Sequence, residues 1–566
     1  MKFLIGLTGL STGQFISVFA GLVFPILAHA QMHDPRAINA DPFTASETIS
    51  PKLSNLGDHH IPVTTSNPRS QFFFDQGYRL TLAFNHSEAL RSFKEAVRVD
   101  QNNAMAYWGI ALVLGPNLNL PMQATVVKPA WEAIQSALAL KTGLTKKEAD
   151  YIDALAVRYS SDPTANRAEL NAAYVDAMKK LVANYPNDLD AATLYASALM
   201  NQNPWDYWYK DGTPKHDTSH VLEVLQGVIK RDKLAAGAHH YLIHLTEAYR
   251  PELAEQSADQ LGGLMPAAGH LVHMPSHIYM RVGRYKDSYD ANVMAVKADA
   301  GYLSSCRAQG IYPLMYYPHN THFLVWSAMF LGRSDDAMNA AEQVVANIPD
   351  FAKPEEWSAS ETFRSQKMVV LVRFGHWNKM LAYAKPEKSD KFMTGLWHYG
   401  RGLAHLNKGN IARANEELSF LEDIRASLKE GKRYQIGFSS ADSLLDIAIG
   451  ILDGEILAKD GDVEAALAQL EKAVRIQDGL MYNEPPSWYF PVRHILGAVL
   501  LDSGLASEAE VVYWEDLRRN PNNGYALFGI IKSLDAQNKT LVAKTMSERF
   551  DKAWAYADVK LTSSRY

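Results

Sequence analysis

The chain has 566 residues, of which 47% are apolar, 21% charged and 10% aromatic, and its formal net charge is −6 at neutral pH. This apolar content is enough for buried cores and excludes an intrinsically disordered chain. The mildly acidic balance lacks the basic surface that nucleic acids require, so no nucleic-acid partner is expected. The single cysteine, Cys306, excludes intramolecular disulfides and sites built from several thiolates.

Residues 1–30 have the pattern of a secretory signal. Lys2 is followed by an apolar stretch from Phe3 to Leu27 and by the cleavage motif Ala28–Ala30. An uncleaved anchor is the alternative, because the stretch is long for a signal. No later apolar run is long enough to span a bilayer. The sequence therefore predicts an exported protein, periplasmic or extracellular, without a membrane span after signal cleavage.

Residues 31–69 are polar, contain five prolines and show no sustained periodicity, which predicts an extended N-terminal arm. After this arm, apolar residues recur at spacings of three and four, the pattern of amphipathic helices. Runs of alternating β-branched residues are missing from the sequence. The rest of the chain is therefore predicted to be all-α.

An internal repeat indicates how these helices are arranged. Tetratricopeptide units are helix pairs of about 34 residues with small and aromatic residues at fixed offsets. Residues 490–523 fit this pattern with Leu496, Gly497, Gly504, Ala509, Tyr513 and Pro521. In this register, units begin near residues 70, 104, 189, 235, 269, 318, 361, 395, 447, 490 and 524. We expect N-terminal repeats over 70–234, histidine-rich central repeats over 235–360 and C-terminal repeats over 361–566, stacked as an α-solenoid.

Several short segments carry a closer likeness to known proteins: Phe84–Ala89, Ala104–Ala111, His240–His244, Gly269–His277 and Glu484–Tyr489. Through them and its repeats, the chain resembles tetratricopeptide proteins, and among these an exported bacterial group with a histidine-rich central segment. The resemblance implies a right-handed superhelix whose first helices line a concave ligand groove. It implies no particular reaction, because a repeat fold alone does not specify chemistry.

Histidines are concentrated in one part of the chain, where eight of the 19 lie between residues 239 and 322. His239, His273 and His322 each lie four residues after the start of a unit, and His270 and His319 each lie one residue after. Equivalent positions on neighbouring helices are expected to form rows, so these imidazoles should converge on the inner face.

His240 and His244 are one helical turn apart on a face that also carries Glu247. Imidazole is the commonest protein metal ligand, and Glu247 or Asp259 is expected to be a further ligand or to fix a ring tautomer. Without thiolates, the expected ion is Cu, Zn or Fe. The candidate ligands are His240, His244, His270, His273, His277, His319, His322 and Glu247. Contacts to an organic ligand, or packing between helices, are the alternative interpretations.

His270, His273 and His277 share one face if their segment is a single helix. Pro275 argues against this, because proline inside a helix removes a hydrogen bond and clashes with the preceding turn. A helix that begins near Met274 would leave His270 and His273 on the loop before it. Both arrangements keep the three histidines close together.

Other segments are weaker candidates. The aromatic insertions Trp205–Tyr209 and Ile311–Tyr317 flank the histidine units, and we expect them either to roof the groove or to pack against the solenoid edge. Arg493 and His494 are predicted on an inner helix, where they either hold a carboxylate ligand or lie on a solvated face.

The sequence therefore predicts an exported solenoid that binds a transition metal, a small molecule or a peptide on its concave face, with a protein as a further partner. If the units that begin near residues 235, 269 and 318 form a single pocket, His240, His273 and His322 are expected to bind the same ion. One alternative is a metal-dependent hydrolase or oxidoreductase that uses this centre. The other is a protein- or peptide-binding scaffold in which the histidines are structural. Whether the protein is an enzyme is left open.

Overall fold

A computed structural model describes residues 34–306, 308, 312–348, 360–428 and 434–566. The predicted signal at 1–30, residues 31–33 and Ile311 lie outside the described residues. Throughout the described part, consecutive helices pack against one another, and the strands form a single two-stranded sheet.

In the described residues, the N-terminal part contains ten α-helices, the last of which carries the first of the central histidines. These are α1 (Pro35–Asn39), α2 (Pro68–Leu82), α3 (His86–Val99), α4 (Ala104–Leu114), α5 (Ala124–Ala139), α6 (Lys146–Ala156), α7 (Arg167–Asn184), α8 (Leu189–Met200), α9 (Thr218–Arg231) and α10 (Ala236–Thr246). Polar side chains begin many of them. Thr145 and Glu148 form a reciprocal capping box at the start of α6, which satisfies main-chain N–H groups that the helix leaves free.

The central part begins with a 3₁₀ turn at Pro251–Ala254 and includes a π-helix at Tyr312–Tyr316. Its α-helices are α11 (Glu255–Leu264), α12 (Gly269–His273), α13 (Pro275–Val282), α14 (Tyr285–Cys306), α15 (Tyr317–Phe330) and α16 (Ser334–Ala346). Proline at the first position of α13 separates this helix from α12, because its ring cannot continue the hydrogen-bonding of the preceding turn.

The C-terminal part contains α17 (Ser360–Arg364), α18 (Gln366–Arg373), α19 (Trp377–Ala382), α20 (Lys391–Asn407), α21 (Ile411–Ser427), α22 (Ala441–Asp460), α23 (Val463–Gly479), α24 (Arg493–Asp502), α25 (Ala506–Arg519), α26 (Gly524–Ala536) and α27 (Thr540–Ala553). The antiparallel strands β1 (Gln435–Ile436) and β2 (Ser439–Ser440) precede α22.

Helix pairs repeat along the chain, and the predicted tetratricopeptide-like solenoid is confirmed. The helices α2 and α3, α20 and α21, α22 and α23, and α24 and α25 pack as pairs, and α24 also contacts α26 of the next pair. Tyr513 shows why small residues are needed. Its buried ring lies against Gly497 and Gly529, and a Cβ atom at either glycine would overlap the ring.

Both ends of the described chain run back over the central part. Residues 40–67 contain no helix or strand, and the N–H of Ala267 donates to the carbonyl oxygen of Asn55 over 2.9 Å. Near the other end, the hydroxyl of Tyr285 donates to the carbonyl oxygen of Pro521 over 2.8 Å, and the N–H of Ser334 donates to Asp558 over 2.7 Å. The C-terminal repeats therefore contact the central helices.

Two apolar clusters meet in the central part. The first contains buried residues between Ala37 and Tyr316, and the second contains buried residues between Met280 and Met546. Phe84 of the first cluster packs against His244, and Phe323 of the second packs against His277, so the central histidines contact both clusters. In the described residues, no helix is both long and apolar enough to cross a membrane.

The close packing around Tyr513 predicts the effect of glycine substitutions. Gly529→Ala should lower the free energy of unfolding by about 1–3 kcal/mol, because the methyl group overlaps a buried ring. Gly227→Ala is the matched control: this glycine lies in α9 with no heavy atom within 4 Å of the added Cβ, so alanine should stabilise the protein by up to about 1 kcal/mol. Urea denaturation followed by circular dichroism measures both, and equal effects of the same sign would contradict the packing.

Candidate functional site

The central histidines come from four helices. α10 carries His240 and His244, α12 carries His270 and His273, α13 carries His277 and α15 carries His319. Because Gly269–His273 forms α12, His270 and His273 lie on a short helix of their own rather than on a loop.

We call His240, His244 and His270 the first histidine group. Each offers one ring nitrogen, and these nitrogens lie within 4.8 Å of one another. Nε2 of His240 is 3.2 Å from Nε2 of His270. His240 and His244 are one turn apart on α10, and their ring centroids are 4.8 Å apart. All three side chains are buried, and the group is close enough to hold a metal ion.

The second histidine group consists of His273, His277 and His319, whose contributed nitrogens also lie within 4.8 Å of one another. Nε2 of His277 is 2.9 Å from Nε2 of His273 and 3.4 Å from Nε2 of His319. The two groups are in contact, since the rings of His244 and His277, and those of His270 and His273, have centroids 6.1 Å apart.

Oxygen acceptors fix the tautomers of two histidines. Nδ1 of His240 donates to the carbonyl oxygen of Leu82 over 2.7 Å, and a carbonyl oxygen can only accept. Nδ1 of His273 donates over 2.7 Å to Oδ1 of Asn292, whose Nδ2 donates to the carbonyl oxygen of Ser288. In both neutral rings, Nε2 therefore carries a lone pair that faces another histidine of its group.

Two buried carboxylates lie beside the histidine groups. Oε2 of Glu247 is 3.2 Å from Nδ1 of His277 and 3.5 Å from Nδ1 of His244. Oε2 of Glu484 is 2.9 Å from Nδ1 of His277, although not in hydrogen-bond geometry. No described residue donates a well-formed hydrogen bond to any of the four carboxylate oxygens. A buried polar atom without a partner typically costs about 1–3 kcal/mol.

Glu484 is missing from the ligands expected from sequence. It lies 207 positions after His277, in the loop before α24, and a single sequence contains no record of contacts between such distant segments. Its segment, Glu484–Tyr489, is among those that carry the resemblance, but the local pattern there does not indicate a ligand.

Charge separates His277 from the other five histidines. Burial lowers the pKa of those five below the ordinary value, with the positive charges of neighbouring histidines adding to the effect; they are His240, His244, His270, His273 and His319. Burial also acts to lower the pKa of His277, but the negative charges of Glu247 and Glu484 outweigh it and raise that pKa to about 10. At neutral pH, His277 is therefore protonated and the other five rings are neutral.

Aromatic rings enclose the site. The ring of Phe84 stacks on His244 at 5.6 Å, and Trp205 meets the same imidazole edge-on at 5.4 Å. Phe84 and Trp205 have φ angles of 55° and 65°, a region that is costly for residues with a Cβ atom and is kept only where surrounding contacts enforce it. Tyr316 packs against His270, and Phe323 packs against His277. Each predicted aromatic insertion thus contributes one ring, Trp205 or Tyr316.

Some expected participants lie elsewhere: His322 packs against Phe363, His239 bonds to Ser257, and Asp259 pairs with Arg284. The expected single pocket does not form, because His240 and His273 belong to different groups and His322 belongs to neither. The expected row of histidines at equivalent repeat positions requires uninterrupted helices in the same orientation. The helix is instead interrupted between α12, which ends at His273, and α13, which begins at Pro275. On α15, His319 rather than His322 reaches the second group.

Arg493 and His494 are buried in the C-terminal repeats and do not lie on a solvated face. Arg493 pairs with Asp478 at 2.6 Å, and Nε2 of His494 lies 3.0 Å from Oδ2 of Asp516. These contacts pair the guanidinium of Arg493 and the imidazole of His494 within the protein.

No family model matches the chain, and no curated protein is similar to it in sequence. Solved structures align along most of its length. The human IFIT1 dimer with m7Gppp-AAAA is 11% identical over 87% of this chain and 91% of that chain, with a TM-score of 0.29. Naa15/Naa10 bound to HypK-THB is 10% identical over 86% and 89%, with a TM-score of 0.24. The P58(IPK) TPR domain is 13% identical over 83% and 99%, with a TM-score of 0.23.

Because these TM-scores are low, the likenesses carry no information on ligand or activity. The helix pairs themselves define the class: the chain is a tetratricopeptide-like helical-repeat protein. Proteins of this architecture are scaffolds that bind proteins or other ligands.

The charge balance at His277 gives a testable pH dependence. A nearby negative charge stabilises the imidazolium, so Glu484→Gln should lower the pKa of His277 from about 10 in the metal-free protein. Titration of the histidine ring signals by NMR measures this shift. Glu417→Gln is the control: it removes a carboxylate that lies 2.6 Å from His398, far along the chain, and it should leave the pKa of His277 unchanged. An unaltered His277 titration in Glu484→Gln would contradict the assigned charge contact.

Proposed function

We propose that this protein binds transition-metal ions, one in the first histidine group and one in the second. The convergence of ring nitrogens carries the proposal, with Nε2–Nε2 distances of 2.9, 3.2 and 3.4 Å. Two bonds of about 2.0–2.1 Å to one ion, at angles between a right angle and the tetrahedral angle, place nitrogens about 2.9–3.4 Å apart. The rings are therefore spaced as ligands of a shared ion.

The partners behind the rings support the same interpretation. Metal-ligating histidines usually donate their second ring N–H to a carbonyl or carboxylate oxygen, which fixes the ring orientation and leaves the other nitrogen free for the ion. His240 has Leu82 in this role, and His273 has the amide oxygen of Asn292. A purely structural role would leave both ring nitrogens of His244 buried and without a hydrogen-bond partner in the described residues.

The ligand set restricts the metal and the chemistry. Neutral imidazoles with nearby carboxylates and no thiolate suit Cu, Zn or Fe. Three protein ligands leave a coordination position for water or another small molecule, as in catalytic metal sites. This open position favours a metal-dependent hydrolase or oxidoreductase as the second candidate function. The ligands are largely buried, so a substrate that reaches the ions must be small.

The proposal includes export to the periplasm or the extracellular space, because of the signal pattern in residues 1–30. A peptide or protein partner on the concave face remains a prediction from the resemblance. Such a partner would bind through contacts spread over many repeats, whereas the two histidine groups lie on α10, α12, α13 and α15 alone.

Elemental analysis tests the metal proposal. After incubation with Zn²⁺, Cu²⁺ or anaerobic Fe²⁺ and removal of free ions, the parent should retain metal. His240→Ala/His244→Ala and His273→Ala/His277→Ala should each lose the ion of one group, because a single remaining imidazole holds an ion weakly.

His239→Ala and His322→Ala are matched controls, since both histidines are buried in the same helices as ligands but face other partners. Both should retain the parental metal content, with helicity checked by circular dichroism in every variant. A parent that binds none of the three ions would contradict the proposal, and so would controls that lose as much metal as the ligand variants.

A further inference from the structure

Glu247 and Glu484 approach the same ring nitrogen from different parts of the fold. Glu247 follows α10 and Glu484 precedes α24, and their Oε2 atoms lie 3.2 and 2.9 Å from Nδ1 of His277. Nδ1 of His244 is 3.5 Å from Oε2 of Glu247. We call these four residues the carboxylate locus. It lies on the opposite edge of the His277 ring from the second histidine group, which Nε2 faces.

The protein does not satisfy the polar atoms of this locus. Glu247 is 0% exposed and Glu484 is 8% exposed, and within the described residues all four of their carboxylate oxygens lack a hydrogen-bond donor. Nδ1 of His244 and Nδ1 of His277 are also buried and form no hydrogen bond with any described residue. Among the described residues, no group forms a hydrogen bond with the buried hydroxyl of Tyr482, and Nε of Arg281 lies 3.9 Å from Oε1 of Glu484.

A proton alone is a poor occupant for this arrangement. One proton on Nδ1 of His277 can be donated to one carboxylate oxygen, which leaves the other three oxygens without a donor. A divalent cation instead accepts carboxylate oxygens and ring nitrogens together, and the separations of 2.9, 3.2 and 3.5 Å between these oxygens and nitrogens are close to those of neighbouring ligands on one ion. Carboxylate oxygen and imidazole nitrogen are the mixed ligand set that Zn²⁺, Fe²⁺ and Mn²⁺ accept.

We propose that Glu247, Glu484, Nδ1 of His244 and Nδ1 of His277 bind a further divalent cation, in addition to the ions of the two histidine groups. The inference rests on the proposed function for the total number of bound ions, whereas the carboxylates of Glu247 and Glu484 belong to the locus alone. Its ion shares His277 with the ion of the second group and His244 with the ion of the first group, and each of these rings contacts the locus ion through Nδ1 and the ion of its group through Nε2.

This sharing has a defined proton balance. A neutral imidazole carries one ring proton and a protonated one carries two. A ring that binds cations through both nitrogens carries none, so filling all three sites releases the ring protons of His244 and His277 to solvent and leaves two bridging imidazolates. The metals undergo no change of oxidation state in this step.

Zinc binding to the protein after chelator treatment tests the inference. The parent should bind three equivalents of Zn²⁺, and Glu247→Gln/Glu484→Gln should bind two, because the amides remove both anionic ligands while the histidine groups remain. His273→Ala/His319→Ala should also bind two, since it removes the second group and keeps the locus. Glu88→Gln, a buried glutamate that pairs with Arg91, is the matched control and should bind three.

The outcomes distinguish the two proposals. A parent without bound zinc would overturn the proposed function and this inference together. A parent and a glutamine variant that both bind two equivalents, or both bind three, would overturn the inference alone. A second measurement needs no substitution: ¹⁵N NMR of His277 should show loss of its Nδ1 proton when zinc is saturating. A retained Nδ1 proton at saturation would overturn the inference.

Discussion

Buried imidazole nitrogens and carboxylate oxygens at the junction of two apolar clusters constrain this structure more than any other feature. Polar atoms at such depth cost free energy unless they are paired. The protein supplies partners on the outer edges of some rings, through Leu82 and Asn292. On the inner edges, ring nitrogens of different histidines face one another, and the carboxylates of Glu247 and Glu484 face the ring of His277. A cation is a single partner that all these atoms can accept.

The solenoid brings these groups together from distant parts of the chain. Leu82 ends α2, the first histidine group uses α10 and α12, and Glu484 comes from the loop before α24. The curvature that returns the C-terminal repeats to the central helices, through Tyr285 and Pro521, also brings Glu484 to His277. Ions at this junction would connect the two apolar clusters through directional bonds, so metal content and overall stability should be linked.

The sequence predicts the repeat architecture better than it predicts the site. Gly497 and Tyr513 have roles that follow from local spacing, because a large ring in one helix needs small residues in its neighbours. The density of central histidines also identifies the part of the chain that forms the two histidine groups. Their division into two groups depends on the helix break at Pro275, and the choice of His319 over His322 depends on the orientation of α15. Glu484 and Phe84 reach the site only through tertiary contacts, which no local pattern records.

Crystallographic anomalous scattering tests the central claim most directly. Crystals of the zinc-loaded protein, measured on both sides of the zinc absorption edge, should show one anomalous peak within about 2.0–2.2 Å of ring nitrogens in each histidine group. The absence of both peaks from well-ordered crystals, with the Nε2 atoms of His240 and His270 hydrogen-bonded to each other or to water, would contradict the account.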